Sequence, residues 1–366
     1  MTIAAHIESS PGTTSLLAEQ IMRLAVIHPN HHFVIFSSKQ TSHGFKFSSN
    51  CKLLLIKPVI RNSLLVHYWY NYKLPKLLEK CNASVFVSEN NTCSLRTAVA
   101  QVMLIKDILL QPRNFPFKND NRSYNKRFFP KFAAKAQAIC VTGNFIENAL
   151  IKQYPSLLGK VTTVLHGLPQ AYVPANAAER EKILLKYADG HEYFLCECSA
   201  ITEQNLIAVL KAFSIFKKRL KSGMRLVVLN RLTEIPVADF KNYKYRNEVI
   251  FISNFTSGEE QTIIAESYAA LYLPSFCVAA NIGLRCLQFA VPLITSSGLD
   301  YESMYKAAAV YAGNDEKEIA AAMMELYKDE AYRSELISEG KAVSARYNWD
   351  ESSAGLWQTI SNYIPA

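Results

Sequence analysis

Two doubly wound α/β domains are predicted for this chain by three features. They are its length of 366 residues, an alternation of short aliphatic runs with amphipathic helical stretches, and a break in that alternation near the middle. At roughly 150 residues per domain the length gives two domains, each large enough to bury a core without staples. Strand and helix alternating throughout is the mark of parallel sheets with crossover helices. The break, HGLPQAYVPANAA from His166 to Ala178, holds two prolines and little periodicity.

In the first half, strands are expected over 3–6, 33–36, 53–56, 84–87, 102–105, 139–142 and 161–165, with helices over 14–28, 68–81, 123–136 and 145–153. The second half restarts with strands over 193–198, 226–229, 249–253, 270–273, 293–295 and 309–311. Its clearest helix runs from Glu203 to Leu220 behind a Thr202 cap. Leu206, Val209, Leu210, Phe213, Phe216 and Leu220 fall on one face there, which makes them core residues. Helices over 314–328 and 330–345 lead past Trp349 to a last one ending near Tyr363. Residues 267–284 carry no charge, but Pro274, Ser275 and Asn281 interrupt them, so a strand, a loop and a helix start are expected in place of a membrane span.

Hydrophobic residues at 49% and charged residues at 19% exclude a disordered or collagenous chain. Forty Lys and Arg against 31 Asp and Glu leave +9, which favours an anionic partner. Residues 106–135 hold eight cations against Asp107 and Asp120, a net +6. That region reads either as a solvated face or as a contact for anionic lipid or an anionic ligand, and it contains no recognisable nucleic-acid-binding module. The eight cysteines form no C-x-x-C pair and several sit in apolar runs such as YFLCEC, as reduced core residues of a cytoplasmic protein do. Cys277 and Cys286 have apolar neighbours and no nearby histidine, so they read as buried thiols and not as nucleophiles. His28, His31 and His32 read as a turn, with no metal set expected. The first residues, MTIAAHIESSPG, lack a basic and apolar leader. In open α/β sheets ligands bind beyond the strand C-termini, so the expected site is a cleft between the domains.

Several segments together resemble the group 1 glycosyltransferases, family 4, of the GT-B fold. They are IHPNHHFVIFSS, Lys106-Asp107, VLHGLP at the break, YFLCECSAITEQNLIAVLKAFSIFKK, VIFISNFTSGEEQTIIAESYAALYLPS, VPLITSS and the tail from Tyr347 to Trp349. The resemblance implies two Rossmann-like domains facing across a cleft. The first, on the acceptor side, spans 1–168, with a C-terminal helix over 350–366 packing back on it. The second, on the nucleotide-sugar side, spans 169–349. It also implies a retaining, metal-independent transfer from a nucleotide sugar, taken as substrate with no cofactor, to a glycan or lipid-linked acceptor.

The residues that carry this chemistry in the family are altered. Family members place Gly-Ser after the strand ending near Cys198, then an Arg and a Lys before an Asn. Those cations hold the donor diphosphate as charge grows on the leaving group. Here Ser199 and Asn205 match, while the cation positions are Glu203 and Gln204. One like-charge contact at about 4 Å costs about 4 kcal/mol at an effective dielectric near 20. The family's E-x7-E pair, which meets the donor sugar and the ribose, falls at Cys277 or Val278 and at Arg285. Of the glycine-rich turn beside it only Gly283 remains.

The family's His-Asp pair near the donor sugar is Lys106-Asp107, the catalytic candidates here. His166 stands where Asn is common at the hinge. Gly12 and Thr13 are what is left of an N-terminal glycine loop, read equally as an acceptor contact and as a plain strand-to-helix turn. Glu203 and Arg285 are expected to pair across the vacated nucleotide pocket. Two functional readings follow. One is a glycosyltransferase-like protein of impaired or altered activity. The other is a silent homologue that binds a glycan or partners an active glycosyltransferase in polysaccharide assembly. In both it is expected in the cytoplasm, with peripheral contact to the inner face of the membrane through the basic region.

Overall fold

The computed structural model describes residues 1–7, 15–37, 47–56, 62–89, 91–106, 122–168, 175–199, 202–232, 234, 240–275, 281–298 and 300–364. The chain divides into two compact units. Of the described residues, one comprises those up to Gly167 together with those from Tyr347 on, and the other Leu168–Arg346.

The first unit is built on seven strands: β1 (Thr2–Ile7), β2 (His32–Ser37), β3 (Cys51–Leu55), β4 (Ala83–Ser88), β5 (Ala100–Ile105), β6 (Ala138–Val141) and β7 (Val161–Thr163). They lie all parallel in the order β3-β2-β1-β4-β5-β6-β7. The central strands are aliphatic on both faces because helices cover both. Helix α1 (Leu16–Ile27) starts at Ser15, whose hydroxyl accepts from the Ala18 amide, and it buries Leu17, Ile21 and Leu24. The helix expected over 68–81 begins earlier, as α2 (Ser63–Tyr68) capped by Asn62, and continues through a π-helical turn at Trp69–Lys73 into α3 (Leu74–Lys80). Pro75 has no N–H to return to the Asn71 carbonyl, and the turn before it widens. Helices α4 (Arg122–Lys135) and α5 (Asn144–Gln153) complete the crossovers before β7.

The second unit opens with α6 (Ala177–Ala188), closed at its start by a capping box of Asn176 and Glu179. Its strands are β8 (Tyr193–Cys198), β9 (Arg225–Asn230), β10 (Val249–Ile252), β11 (Ala269–Tyr272), β12 (Leu293–Ser296) and β13 (Ala309–Ala312). They too are all parallel, in the order β10-β9-β8-β11-β12-β13. Between them lie α7 (Leu206–Leu220), α8 (Ser257–Ala265), α9 (Ile282–Gln288) and α10 (Tyr301–Tyr305), with α11 (Glu316–Lys328) and α12 (Glu330–Ser344) after β13. The residues expected on the buried face of α7 are in or against the core.

Its start differs from expectation. Glu203–Asn205 form a 3-10 turn, and the Thr202 hydroxyl accepts from the Ser199 amide at 2.8 Å without capping the helix. Helices α6 and α8 fall on stretches without a long apolar stripe, and for that reason they do not show in the periodicity.

Helix α13 (Trp349–Ser361) belongs to the first unit and lies along α1. Leu356 and Ile360 join the core formed by β1, β4 and α1. Gln20 donates to the Ser352 hydroxyl at 2.9 Å, and the His28 ring stacks on Trp357 at 3.7 Å between centroids. The uncharged stretch 267–284 holds β11 and the start of α9. Among the described residues no helix is long and apolar enough to cross a bilayer.

Candidate functional site

Each sheet reverses its strand order once, between β1 and β4 and between β8 and β11. Just beyond the carboxyl ends of the strands at such a point, loops diverge and leave room for a ligand. In the second unit Ser199, directly after β8, is tied to Thr202 and Glu203. The Ser199 hydroxyl lies 3.2 Å from that of Thr202, and the amides of Thr202 and Glu203 return to the Ser199 carbonyl at 3.0 and 2.9 Å. Asn205 donates from Nδ2 to the Leu273 carbonyl at 2.8 Å, and Gln204 accepts from the Ser275 hydroxyl at 3.3 Å. The two sides of the switch point are thereby tied together. Asn205 works here as a staple between α7 and the end of β11.

Beside this staple four charges alternate. Glu197, the single charge within β8, is buried and accepts from Arg231 Nε at 2.6 Å. Arg231 follows β9 directly. Its other arm holds Glu260 Oε1, and its guanidinium lies over the Phe255 ring at 5.3 Å. Glu260 stands in the first turn of α8 and Arg285 in the last turn of the short helix α9. Arg285 Nη1 reaches the same Oε1 at 2.6 Å. Burial, the largest effect, raises the Glu197 carboxyl above its ordinary range, and Arg231 opposes it.

Arg285 therefore pairs with Glu260. The expected ion pair with Glu203 is not formed, because α8 supplies a carboxylate at bonding distance and, among the described residues, Glu203 makes no ion pair. Gly283 lies in the packed first turn of α9, where a Cβ would stand 2.5 Å from the Tyr305 hydroxyl. That hydroxyl donates to Asn281 Oδ1 at 2.6 Å, and the same oxygen caps α9 through the Leu284 amide at 3.1 Å. Close packing against Tyr305 thus explains the glycine.

In the first unit Lys106 follows β5 and its ammonium is held by Glu89, the residue after β4. Glu89 is buried. It accepts from the Ser15 hydroxyl at 2.5 Å and from the Leu16 and Leu17 amides at 3.0 and 3.4 Å. A side-chain carboxylate so occupies the N-terminus of α1, where the helix dipole and free N–H groups favour an anion. His166 is buried. Desolvation, and after it the charge of Lys106, lower its pKa to about 4, so its ring is neutral, edge-on to Tyr347 at 5.4 Å between centroids. Asp107, Gly12 and Thr13 lie outside the described residues, as does Cys277. The other seven cysteines carry free thiols, and burial raises the Cys286 thiol to about 12, as its reading as a core thiol requires.

Glu89, Glu197, Arg231 and Glu260 were not marked by the sequence reasoning. The available signal was a lone charge inside or directly after an apolar strand run, as in YFLCEC, ASVFVSE and RLVVLNR.

No protein-family model matches the sequence, and no curated protein matches it significantly. Solved structures do. A glycosyltransferase from Rickettsia africae aligns with a TM-score of 0.74 at 10% identity, over 99% of this chain and 98% of that one. Anabaena Alr3699/HepE, solved in complex with UDP and glucose, gives 0.71 at 11% over 98% and 99%. WaaG, a glycosyltransferase involved in lipopolysaccharide biosynthesis, gives 0.70 at 12% over 100% of both chains. At such identities the likeness speaks for the fold, and the chain has the two-sheet α/β fold of the GT-B glycosyltransferases, as its motifs implied.

Proposed function

We propose that this chain is a glycosyltransferase relative that does not transfer sugar from a nucleotide diphosphate donor and acts as a glycan-binding or partner subunit in polysaccharide assembly. The observation that carries this reading is the commitment of Arg231 and Arg285 to one carboxylate, Glu260, beside a loop that offers Glu203 and Gln204 in place of cations. Lys106 is committed to Glu89 in the same way. A diphosphate brought to these strand ends has to displace a carboxylate before it gains a cation.

The competing reading is an active transferase, retaining and metal-independent, with a rebuilt site that includes Lys106, Asp107, Ser199, Glu203, Gln204 and Arg285. It draws on HepE, which shares the fold and was solved with UDP-glucose. Thermal denaturation during titration with UDP, GDP, ADP and their sugar conjugates separates the two. A ligand at 100 times its dissociation constant adds about 2.7 kcal/mol of stability. The proposed function expects no shift, and a nucleotide-specific shift overturns it. Cytoplasmic residence with peripheral contact to an anionic inner membrane face is part of the proposal. Exposed Arg127 and Lys131, flanking Phe128 on α4, support it.

A further inference from the structure

We infer that the outer face of the helical run 63–80 is a docking surface for an anionic lipid bilayer, with Leu64, Tyr68 and Tyr72 entering the headgroup layer. The inference rests on the peripheral membrane contact in the proposed function and deepens it, because it assigns the apolar part of that contact to residues outside the basic region 106–135. Leu64, Tyr68 and Tyr72 are 79%, 46% and 42% exposed. They are spaced by four residues, and exposed Lys76 on α3 continues the series. Steps of four drift by about 40° each around an α-helix. The π-helical turn at Trp69–Lys73 holds more residues per turn and takes that drift back, so the series stays on one side of the run. The opposite side is anchored. Trp69, Tyr70 and Asn71 are buried, and Asn71 Oδ1 accepts from the Leu95 amide at 2.8 Å. Single exposed apolar residues are ordinary on a protein surface, whereas an aligned set marks an interaction site.

Charge selects the occupant. Residues 62–80 carry three lysines against Glu79, and residues 122–135 carry five cations and no acid. Helix α4, which holds those five, lies against the run: His67 Nδ1 is 3.2 Å from the Tyr124 hydroxyl, and its ring is 5.7 Å from that of Phe128. Exposed Arg96 lies over the Tyr72 ring at 4.2 Å, which covers a face that a stacked saccharide would need. None of Lys76, Arg96, Arg127 and Lys131 forms an ion pair with a described residue. Cations without carboxylate partners, set around an aligned Leu and two Tyr, match a bilayer surface. The apolar side chains enter it, the phenol hydroxyls stay at headgroup level, and the cations meet lipid phosphates.

The test sediments wild type, Leu64→Gln/Tyr68→Gln and Arg127→Glu/Lys131→Glu with two kinds of vesicle. One is phosphatidylcholine alone, and the other is equal parts phosphatidylcholine and phosphatidylglycerol. Wild type is expected to bind the anionic vesicles in preference to the neutral ones. Leu64→Gln/Tyr68→Gln keeps every cation and is expected to bind them at least about tenfold more weakly. A second readout keeps the apolar face intact. Tryptophan emission of Leu64→Trp is expected to shift to the blue with anionic vesicles and to be quenched by brominated lipid, while that of Leu185→Trp, at a 60% exposed position in the second unit, stays unchanged. Folded Leu64→Gln/Tyr68→Gln that binds as tightly as wild type, with weaker binding by Arg127→Glu/Lys131→Glu, overturns the inference and leaves the membrane contact standing. Unchanged Leu64→Trp emission on vesicles that carry the protein does the same. Absence of wild-type binding to anionic vesicles overturns both the inference and the membrane contact. Equal binding to neutral and anionic vesicles overturns the inference, since the cations then select nothing. A wild-type dimer in light scattering that Leu64→Gln/Tyr68→Gln loses, without vesicle binding, gives the face to a second copy of the chain and overturns it as well.

Discussion

Acidification from about pH 7.5 to pH 5 destabilises this protein through histidines buried in their neutral form. His6 lies in β1, fully buried, with Nδ1 2.8 Å from the Tyr70 hydroxyl and its ring 4.6 Å from that of Trp69 on the π-helical turn. Desolvation lowers its pKa from 6.5 to about 3. Between those values the unfolded chain holds the proton and the folded chain does not, so stability falls as pH falls. The limiting slope is about 1.4 kcal/mol per pH unit for each such histidine. Integrated from pH 7.5 to 5, His6 accounts for about 2 kcal/mol. His166, lowered to about 4, accounts for about as much over the same window. His6→Gln removes one titrating group while keeping polar atoms beside Tyr70. Urea denaturation followed by tryptophan fluorescence at the two pH values is then expected to show a pH dependence smaller than wild type by about 2 kcal/mol. An unchanged pH dependence in the folded variant refutes the reasoning, because it means that His6 titrates alike in both states.

Other substitutions test the remaining parts of the account. Gly167→Ala places a Cβ 2.2 Å from Trp349 Cγ and is expected to cost about 3 kcal/mol, measured by denaturant melts. Leu356→Ala, emptying the contact of α13 with the first unit's core, is expected to cost about 3 kcal/mol, with early exchange of the α1 amides. Asn205→Ala removes the hydrogen bond to the Leu273 carbonyl and is expected to cost about 1 kcal/mol. Arg127→Glu with Lys131→Glu is expected to weaken binding to anionic vesicles in a sedimentation assay, and unchanged binding removes α4 from the membrane proposal.

Much of the fold was legible because parallel strands buried on both faces leave short aliphatic runs that stand out between helices. YFLCEC is expected as a strand and is β8 from end to end. Helices came through where a stripe of apolar residues repeats, as along α7, and not where the buried face is narrow, as along α8, which sets Ile263 and Ile264 side by side. The π-helical turn stayed hidden because its cause, a proline inside a helical pattern, reads as a simple helix start. At the candidate site the sequence marked Ser199, Glu203, Gln204, Asn205 and Arg285, and these fall just after β8 and on α9, in the second unit. It did not show their partners. Glu260 reaches Arg285 from 25 residues away on another helix, and only the packing of α8 beside α9 makes that pair. Motif alignment placed Glu203 opposite Arg285 because it carries no information about a third element.

The central claim is that Arg231 and Arg285, at the second unit's strand ends, are committed to carboxylates and do not hold a diphosphate. Phosphorus NMR of UDP-glucose, recorded with increasing amounts of the protein, tests it directly on the group in question. The account expects both diphosphate resonances to keep their positions and widths at millimolar ligand. Broadening or shifting that excess UDP reverses contradicts it, and identifies a working donor site.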